Sequence, residues 1–528
     1  MLININQIIS LIEKGHFNRA LDLSLGVLQK NPNEYEFIKV TGLLYLLLED
    51  FFEAIKYYHQ AFALNGNDQD ILTNLSYAYS QVYDVNNSDL YGNLGLKINP
   101  TNQSIYINLA ENELKRRNYE SAFLIMDKLI SSHGGAQECA KNIKNKKILL
   151  KYLDACLSCN KSEKEMVNLF NTILNENFIA DIFNQWCSYS STTVEKKFVD
   201  RAKEELTLNY ENAMLKSTQT IQLYFGLARY YKNNQQLSEK YYVEGNEHAS
   251  KILRYNPIVE QKKIQKIKEF FSNQEIVNYQ SPHNHMGEGL IFIIGLPRSG
   301  TTLTESVSST ADNITSAGET LIMPNLSKKY YLPHLNYTLS DNGFEEIGQE
   351  YTRIIKSLSN NKKFIIDKLP NNFFNLGFIT KALPQAKIIH VSRNKWSNAT
   401  SLFQQLYLTN IPYSSSFFNI GVHIANYEEI MNFWKKQNFI NEKNFLDVEY
   451  ESLVKNTEEI ASKIFAFCGL SGSYSENKRG GFFARTASKN QVTQKIYSSS
   501  INKEIFMEFR EEFDESLKNQ TEYWKRKH

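Results

Sequence analysis

The first 135 residues repeat themselves every 34. Ala20, Ala54, Ser88 and Ala122 stand 34 apart and are all small, and Phe17, Phe51, Val85 and Tyr119 keep the same step three residues earlier. Ile8, Gly42, Ser76 and Ala110 form a third column, and the pairs Asn31-Pro32, Asn65-Gly66 and Asn99-Pro100 a fourth. A fixed period of this length constrains a fold more than composition does, because each unit is one helical hairpin whose apolar face it cannot cover alone. Such hairpins stack. Small residues belong where two helices cross, and the Asn-Pro pair ends the second helix.

The unit resembles the tetratricopeptide repeat, which implies a helical solenoid over residues 1–135; a generic helical bundle is the alternative. In the third unit, 84–90 reads poorly as a helix start, so a looser hairpin is expected there. Beyond Gly135 the register is lost. Residues 136–278 are expected to be helical, as degenerate repeats whose number stays open, with 146–157 and 164–174 amphipathic. Residues 224–231 and 237–255 resemble one more hairpin, closed by Asn256-Pro257. In a solenoid, Tyr45, Tyr79 and Asn108 would face the concave groove, where an acceptor protein, peptide or glycan, or a partner subunit, could be recruited.

The second half reads differently. A polar, turn-rich stretch at 280–289 is expected to be a linker. It gives way to Leu290-Ile-Phe-Ile-Ile-Gly-Leu-Pro-Arg-Ser-Gly-Thr-Thr302, a buried strand running into a loop and then a helix. Gly295 and Gly300 have the spacing of a phosphate-binding loop, which aims backbone N–H groups and the positive end of a helix dipole at an anion. Thr301 stands where a kinase or ATPase places its lysine, and Arg298 supplies a cation from inside the loop. Further strands are expected at 364–367, 387–391 and 445–450, and helices at 373–383, 394–408 and 452–468. The alternation implies an α/β domain over 288–528 with a parallel sheet covered on both faces. Arg298, Lys368, Arg393 and Tyr450 then fall at, or just past, the carboxyl ends of strands, where such sheets bind ligands.

The chain has 528 residues and a net charge of +2 from 59 basic and 57 acidic side chains, so no electrostatic footprint for nucleic acid is present. Five cysteines (Cys139, Cys156, Cys159, Cys187, Cys468) do not make a disulfide framework and fit a reducing compartment. Cys156 and Cys159 form a C-x-x-C without a second ligand pair, which reads as two helical cysteines. The N-terminus shows no basic region or cleavage site, and the apolar runs fall far short of the roughly 20 residues of a membrane span. A cytoplasmic protein is the expectation.

The motifs of 290–505 together resemble PAPS-dependent sulfotransferases (PAPS, 3′-phosphoadenosine 5′-phosphosulfate). They are most similar to tyrosylprotein sulfotransferases and to bacterial proteins that join tetratricopeptide repeats to such a domain. The resemblance implies a 5′-phosphosulfate loop made of Arg298, Ser299, Gly300, Thr301 and Thr302, with Arg393 and Ser401 on the 3′-phosphate. It implies Glu319, in Gly318-Glu-Thr320, as the catalytic base, and Lys368, in Asp367-Lys-Leu-Pro370, as the residue polarising the transferring group. Tyr450 would lie beside the nucleotide. Ser488, Gln491 and Val492 match the family's closing loop, with Tyr497 and Lys503 following it; Ser488 and Arg298 would join Glu319 and Lys368 in catalysis. PAPS is the implied co-substrate and no metal is implied.

Departures bear on the acceptor. Leu321 and Gln405 occupy positions where the eukaryotic enzymes carry arginines, so acidic tyrosine peptides are not implied; separately, Asn394-Lys395 replaces the Asp-Pro that usually follows the 3′-phosphate arginine. Protein tyrosine, glycan and small hydroxyl stay open, as does the oligomeric state. A P-loop kinase, which should carry a lysine at Thr301, and a non-catalytic repeat scaffold with a nucleotide-binding domain are the alternatives. By this reading a chain starting near Asn278 should retain the nucleotide site. His390, in a strand, reads as a packed core residue.

Overall fold

The computed structural model of the protein describes residues 4–159, 161–207, 213–331, 343–408, 411–480 and 504–518. Contacts divide the chain into two compact units. One is Met1–Cys139 with Lys147–Lys161 and Arg353–Asn360; the other is Ala140–Lys146 with Ser162–Thr352 and Asn361–His528.

The first unit is helical: α1 (Ile5–Glu13), α2 (Phe17–Leu28), α3 (Tyr35–Leu47), α4 (Phe51–Leu64), α5 (Gln69–Gln81), α6 (Val85–Ile98), α7 (Gln103–Lys115), α8 (Tyr119–Ser132), the short α9 (Gly135–Ala140) and α10 (Lys146–Ser158). The helices opening at Phe17, Phe51, Val85 and Tyr119 keep the 34-residue step, as do those opening at Tyr35, Gln69 and Gln103. Ala20, Ala54, Ser88 and Ala122 are all 0% exposed, as a column at helix crossings requires. At Gly42 a Cβ would come within 3.0 Å of the Tyr58 ring, which explains the small residue there. These are the stacked hairpins of a helical-repeat solenoid.

The third hairpin is not loosened at its start. The Asp84 side chain caps α6 by accepting from Asn87 N, and hydrogen bonds replace apolar packing: Ser88 Oγ donates to Ser76 O at 2.7 Å, and Asn112 Nδ2 to Ser88 Oγ at 2.7 Å. Asn108 is 5% exposed, so it does not line an open groove. Tyr45 and Tyr79 are half-buried, stacked on Tyr57 and Tyr91. Cys156 is buried, which pushes its thiol up to about 12, and Cys159 Sγ donates to Tyr119 O; both act as helix residues of α10 and its end.

The second unit opens with α11 (Glu163–Glu176), α12 (Ala180–Ser190), α13 (Lys196–Thr207), α14 (Ala213–Tyr230), α15 (Gln235–Ser250), α16 (Pro257–Ser272) and α17 (Gln274–Asn278). The sheet follows, with β1 (Leu290–Gly295), β2 (Ile314–Gly318), β3 (Phe364–Asp367), β4 (Lys387–Ser392) and β5 (Phe445–Glu449) in the order β2-β3-β1-β4-β5 and every pairing parallel. Every residue of β1 is buried, the pattern of a central parallel strand covered on both faces. Its helices are α18 (Thr301–Ser308), α19 (Ile322–Tyr331), α20 (Gly343–Lys356), α21 (Leu376–Ala382), α22 (Lys395–Phe403), α23 (Phe417–Lys435), α24 (Tyr450–Lys455) and α25 (Thr457–Cys468).

The preceding helices pack into the same body. Phe271 of α16 is fully buried, edge-on to Phe378 and Trp434 at 5.1 Å from each. Lys381 Nζ donates to Val277 O at 2.7 Å and Tyr279 O at 2.9 Å, closing α17. Glu260 accepts from Asn426 Nδ2 at 2.9 Å and lies 2.7 Å from His423 Nδ1. The stretch at 280–289 is also held down: Gln385 N donates to Met286 O at 2.9 Å, and a Cβ at Gly287 would meet Ala386 N at 2.9 Å. Among the described residues no helix is long and apolar enough to cross a membrane.

Candidate active site

β1 and β4 lie side by side at the sheet's middle, and the chain leaves them in opposite directions, toward β2 and toward β5. Ligands of open parallel sheets bind at such a point, beyond the strands' carboxyl ends. Each of the five strands delivers a candidate there. Arg298 follows β1 by three residues, while Glu319, Lys368, Arg393 and Tyr450 are the first residues after β2, β3, β4 and β5.

The loop after β1 is tightly specified. Gly295 (φ 150°) lies so close to β4 that a Cβ would sit 2.3 Å from Val391 O. Gly300 (φ 103°) caps α18, and a Cβ there would meet the Tyr450 ring at 2.3 Å. Arg298 itself is left-handed at φ 68°, a conformation costly for a non-glycine residue and common at ligand sites. Its carbonyl accepts from Arg393 Nη1 at 3.0 Å, and its Nε donates to Ser401 Oγ at 3.0 Å. The Arg393 guanidinium lies over the Tyr450 ring, 4.6 Å from its centroid. Asn398 Nδ2 of α22 holds the loop by donating to Pro297 O at 2.9 Å. Arg298, Arg393, Ser401, Gly300 and Tyr450 are therefore one connected group.

This group has the features of an anion cradle. Among the described residues no side chain caps α18 at Gly300, and the helix begins at the carboxyl end of β1, where its first-turn N–H groups suit an anion. Ser299 is 1% exposed and its Oγ has no hydrogen-bond partner among the described residues, an orphan that a phosphate oxygen would satisfy. Thr301 and Thr302, at 3% and 5% exposure, open the helix beside it. The donor set fits a nucleotide's phosphates.

On the other side of β1, Glu319 and Lys368 touch through Glu319 Oε1 and Lys368 Nζ. Lys368 is fully buried, whereas the Glu319 side chain is 40% exposed, so the carboxylate keeps an edge toward solvent. β2 positions Glu319 and was not legible as a strand, being short with only one large apolar residue. Next to them Asp367 is buried, accepting from Thr320 Oγ1 at 2.6 Å and Tyr351 OH at 2.7 Å. Burial pushes its carboxyl up to about 7, against those hydrogen bonds and the nearby Lys368.

Sequence reasoning missed two neighbours. Glu305, inside α18, is 1% exposed and reaches Lys368. Tyr407 feels the charges of both Arg298 and Glu319, while its burial pushes the phenol up to about 12. His390 is packed as expected but is also bonded: Nδ1 lies 2.5 Å from Asp447 Oδ1, and Nε2 contacts Tyr427 OH. Ser488, Gln491, Val492, Tyr497 and Lys503 lie outside the described residues. Among the described residues no group of three or more His, Cys, Asp or Glu could hold a metal ion.

Fold and site together define a P-loop-like α/β domain whose crevice carries an arginine-lined loop on one side and a Glu–Lys pair on the other. Residues 291–475 match the model of the sulfotransferase family, so this stretch is a sulfotransferase-family domain behind a helical-repeat solenoid. A relative from Aquifex aeolicus, itself uncharacterized, is 29% identical over 281 residues, 49% of this chain and 36% of the relative. The chain thus spans about a third of the length of the curated relative it matches. Among solved structures, the sulfotransferase domain of a Synechococcus olefin synthase is 17% identical, covering 46% of this chain and 98% of that one at a TM-score of 0.31. A mouse sulfotransferase complexed with PAP is 18% identical, covering 47% and 92% at a TM-score of 0.28. At these scores the assignment rests on the family match.

Proposed function

We propose that the protein transfers a sulfuryl group from PAPS to an acceptor hydroxyl. The family match sets the reaction class, and the observation that carries the mechanism is the contact of half-exposed Glu319 with buried Lys368 beside an arginine-lined phosphate cradle. In this reading Glu319 takes the acceptor's proton through its solvent-facing edge as the acceptor oxygen bonds to sulfur. The bond from sulfur to the 5′-phosphate oxygen breaks, and its electron pair stays on that phosphate. Lys368, Arg298 and the first-turn N–H groups of α18 face the charge that spreads onto the sulfuryl oxygens and the leaving phosphate. Arg393 and Ser401 hold the 3′-phosphate. Transfer then amounts to positioning and charge stabilisation.

The acceptor class within this reading is a protein tyrosine or a glycan hydroxyl. Leu321, 43% exposed two residues from Glu319, offers no charge to an acidic peptide. A kinase reading is disfavoured by Thr301, buried at the position a γ-phosphate lysine would need. The test is transfer of radiolabelled sulfur from PAPS into size-sorted lysate fractions. Glu319→Gln should cut turnover about 10²–10⁴-fold while affinity for 3′,5′-adenosine bisphosphate, read by calorimetry, stays nearly constant. Normal turnover by that variant would assign the base elsewhere; absence of any labelled product would reject sulfuryl transfer.

A further inference from the structure

Lys368 has two carboxylates, not one. Besides Glu319, its Nζ lies 3.7 Å from Glu305 Oε2, beyond a direct hydrogen bond but within ion-pair range. Glu305 sits in the helix that begins at the phosphate cradle, where a buried negative charge works against binding an anion. A carboxylate persists in such a place only when it is paired and hydrogen-bonded. Both conditions are met. Ser316 Oγ, on β2, donates to Glu305 Oε1 at 2.5 Å, and Lys368 supplies the cation. Glu305 is 1% exposed and Lys368 0%, so no solvent screens this pair.

The two carboxylates differ in one respect that matters to turnover. Glu319 reaches solvent and, in the proposed reaction, becomes neutral when it takes the acceptor's proton. At that moment it no longer balances Lys368, while negative charge is growing on the sulfuryl oxygens and the leaving phosphate. Glu305 cannot take that proton, since it is enclosed and one oxygen is held by Ser316. We infer that Glu305 is a positioning residue: it holds the Lys368 ammonium in place through the step in which Glu319 is neutralised. The inference rests on the sulfotransferase reading of the site. Ser316 takes part by orienting Glu305, which ties β2 and α18 to the same lysine.

Because Glu305 acts through Lys368, its effect should disappear once Lys368 is gone. The experiment is a double-mutant cycle in the full chain, with kcat, KM for PAPS and bisphosphate affinity measured for Glu305→Gln, Lys368→Met and both together. Glu305→Gln should lower kcat about 10–100-fold with KM and bisphosphate affinity changed less than about 2-fold, the signature of an interaction felt in the transition state. In the Lys368→Met background, Glu305→Gln should cost nothing further in kcat. Multiplying losses, or full kcat in folded Glu305→Gln, would overturn the assignment. If Glu305→Gln does not fold, Ser316→Ala replaces it in the cycle, with a smaller kcat loss expected that also vanishes without Lys368; unchanged kcat in Ser316→Ala would overturn it equally. Wild-type transfer from PAPS and its loss in Glu319→Gln serve as references. If those fail, the sulfotransferase reading falls; if they hold and the cycle fails, only the role of Glu305 does.

Discussion

Asp367 titrates where few carboxylates do. It is fully enclosed beside Lys368, and its folded value of about 7 lies well above the ordinary 3.8. A carboxyl raised on folding contributes stability that is fully present below pH about 4 and is lost as pH rises through about 7. The term is on the order of a few kcal/mol. Asp367→Asn keeps an oxygen for Thr320 and Tyr351 but cannot ionise. The difference between wild-type and variant melting temperatures should therefore change between pH 4 and 7 and level off outside it. Parallel melting curves across that window would show that Asp367 is ionised throughout. At this scale the sequence was informative wherever a residue ends a strand inside a motif: Arg298, Lys368, Arg393 and Tyr450 are all found at one crevice. Glu305 was illegible, since an isolated glutamate inside a helix reads as a solvated acid, and only a tertiary contact reveals otherwise.

The elements misread from sequence share one cause, the influence of distant partners on local signals. α23, which the sequence did not mark, is buried over most of its length, His423 and Asn426 included, so no amphipathic stripe signals it. The helix expected over 394–408 stops at Phe403, and 452–468 splits at Asn456 into α24 and α25. Residue 403 shows why. Its carbonyl, which would continue the helix ladder, accepts instead from Asn246 Nδ2 of α15 at 2.8 Å. A side chain 157 positions away thus ends the helix that carries Ser401. Asn246→Ala should leave that buried carbonyl unpaired and cost about 1–3 kcal/mol. Weaker bisphosphate binding should accompany the loss, because α22 also holds the loop through Asn398. A melt and calorimetry titration identical to wild type would show that α22 ends there for another reason.

Across the whole molecule, the 34-residue period specified its hairpins because every unit meets the same neighbours, so a local pattern carries the packing. No such pattern covers 162–278, and there the packing decides. These helices share a compact unit with the sheet, and what they contribute is core. A chain beginning at Tyr279 would lose Phe271 from between Phe378 and Trp434. It would also take the Val277 carbonyl from Lys381 and leave His423 and Asn426 without Glu260. Removing one such aromatic side chain costs about 3–5 kcal/mol, and a domain's whole stability is about 5–15 kcal/mol. The retention of the nucleotide site expected from sequence for a start near Asn278 is therefore replaced by a different outcome. The Tyr279 chain should be unfolded or aggregated, giving no cooperative melt by circular dichroism. A chain beginning at Ser162, which keeps α11–α17, should melt cooperatively and bind 3′,5′-adenosine bisphosphate within a few-fold of the full protein. If the shorter chain melts cooperatively and binds equally well, the helices before residue 279 are an appendage to the sheet rather than part of its core.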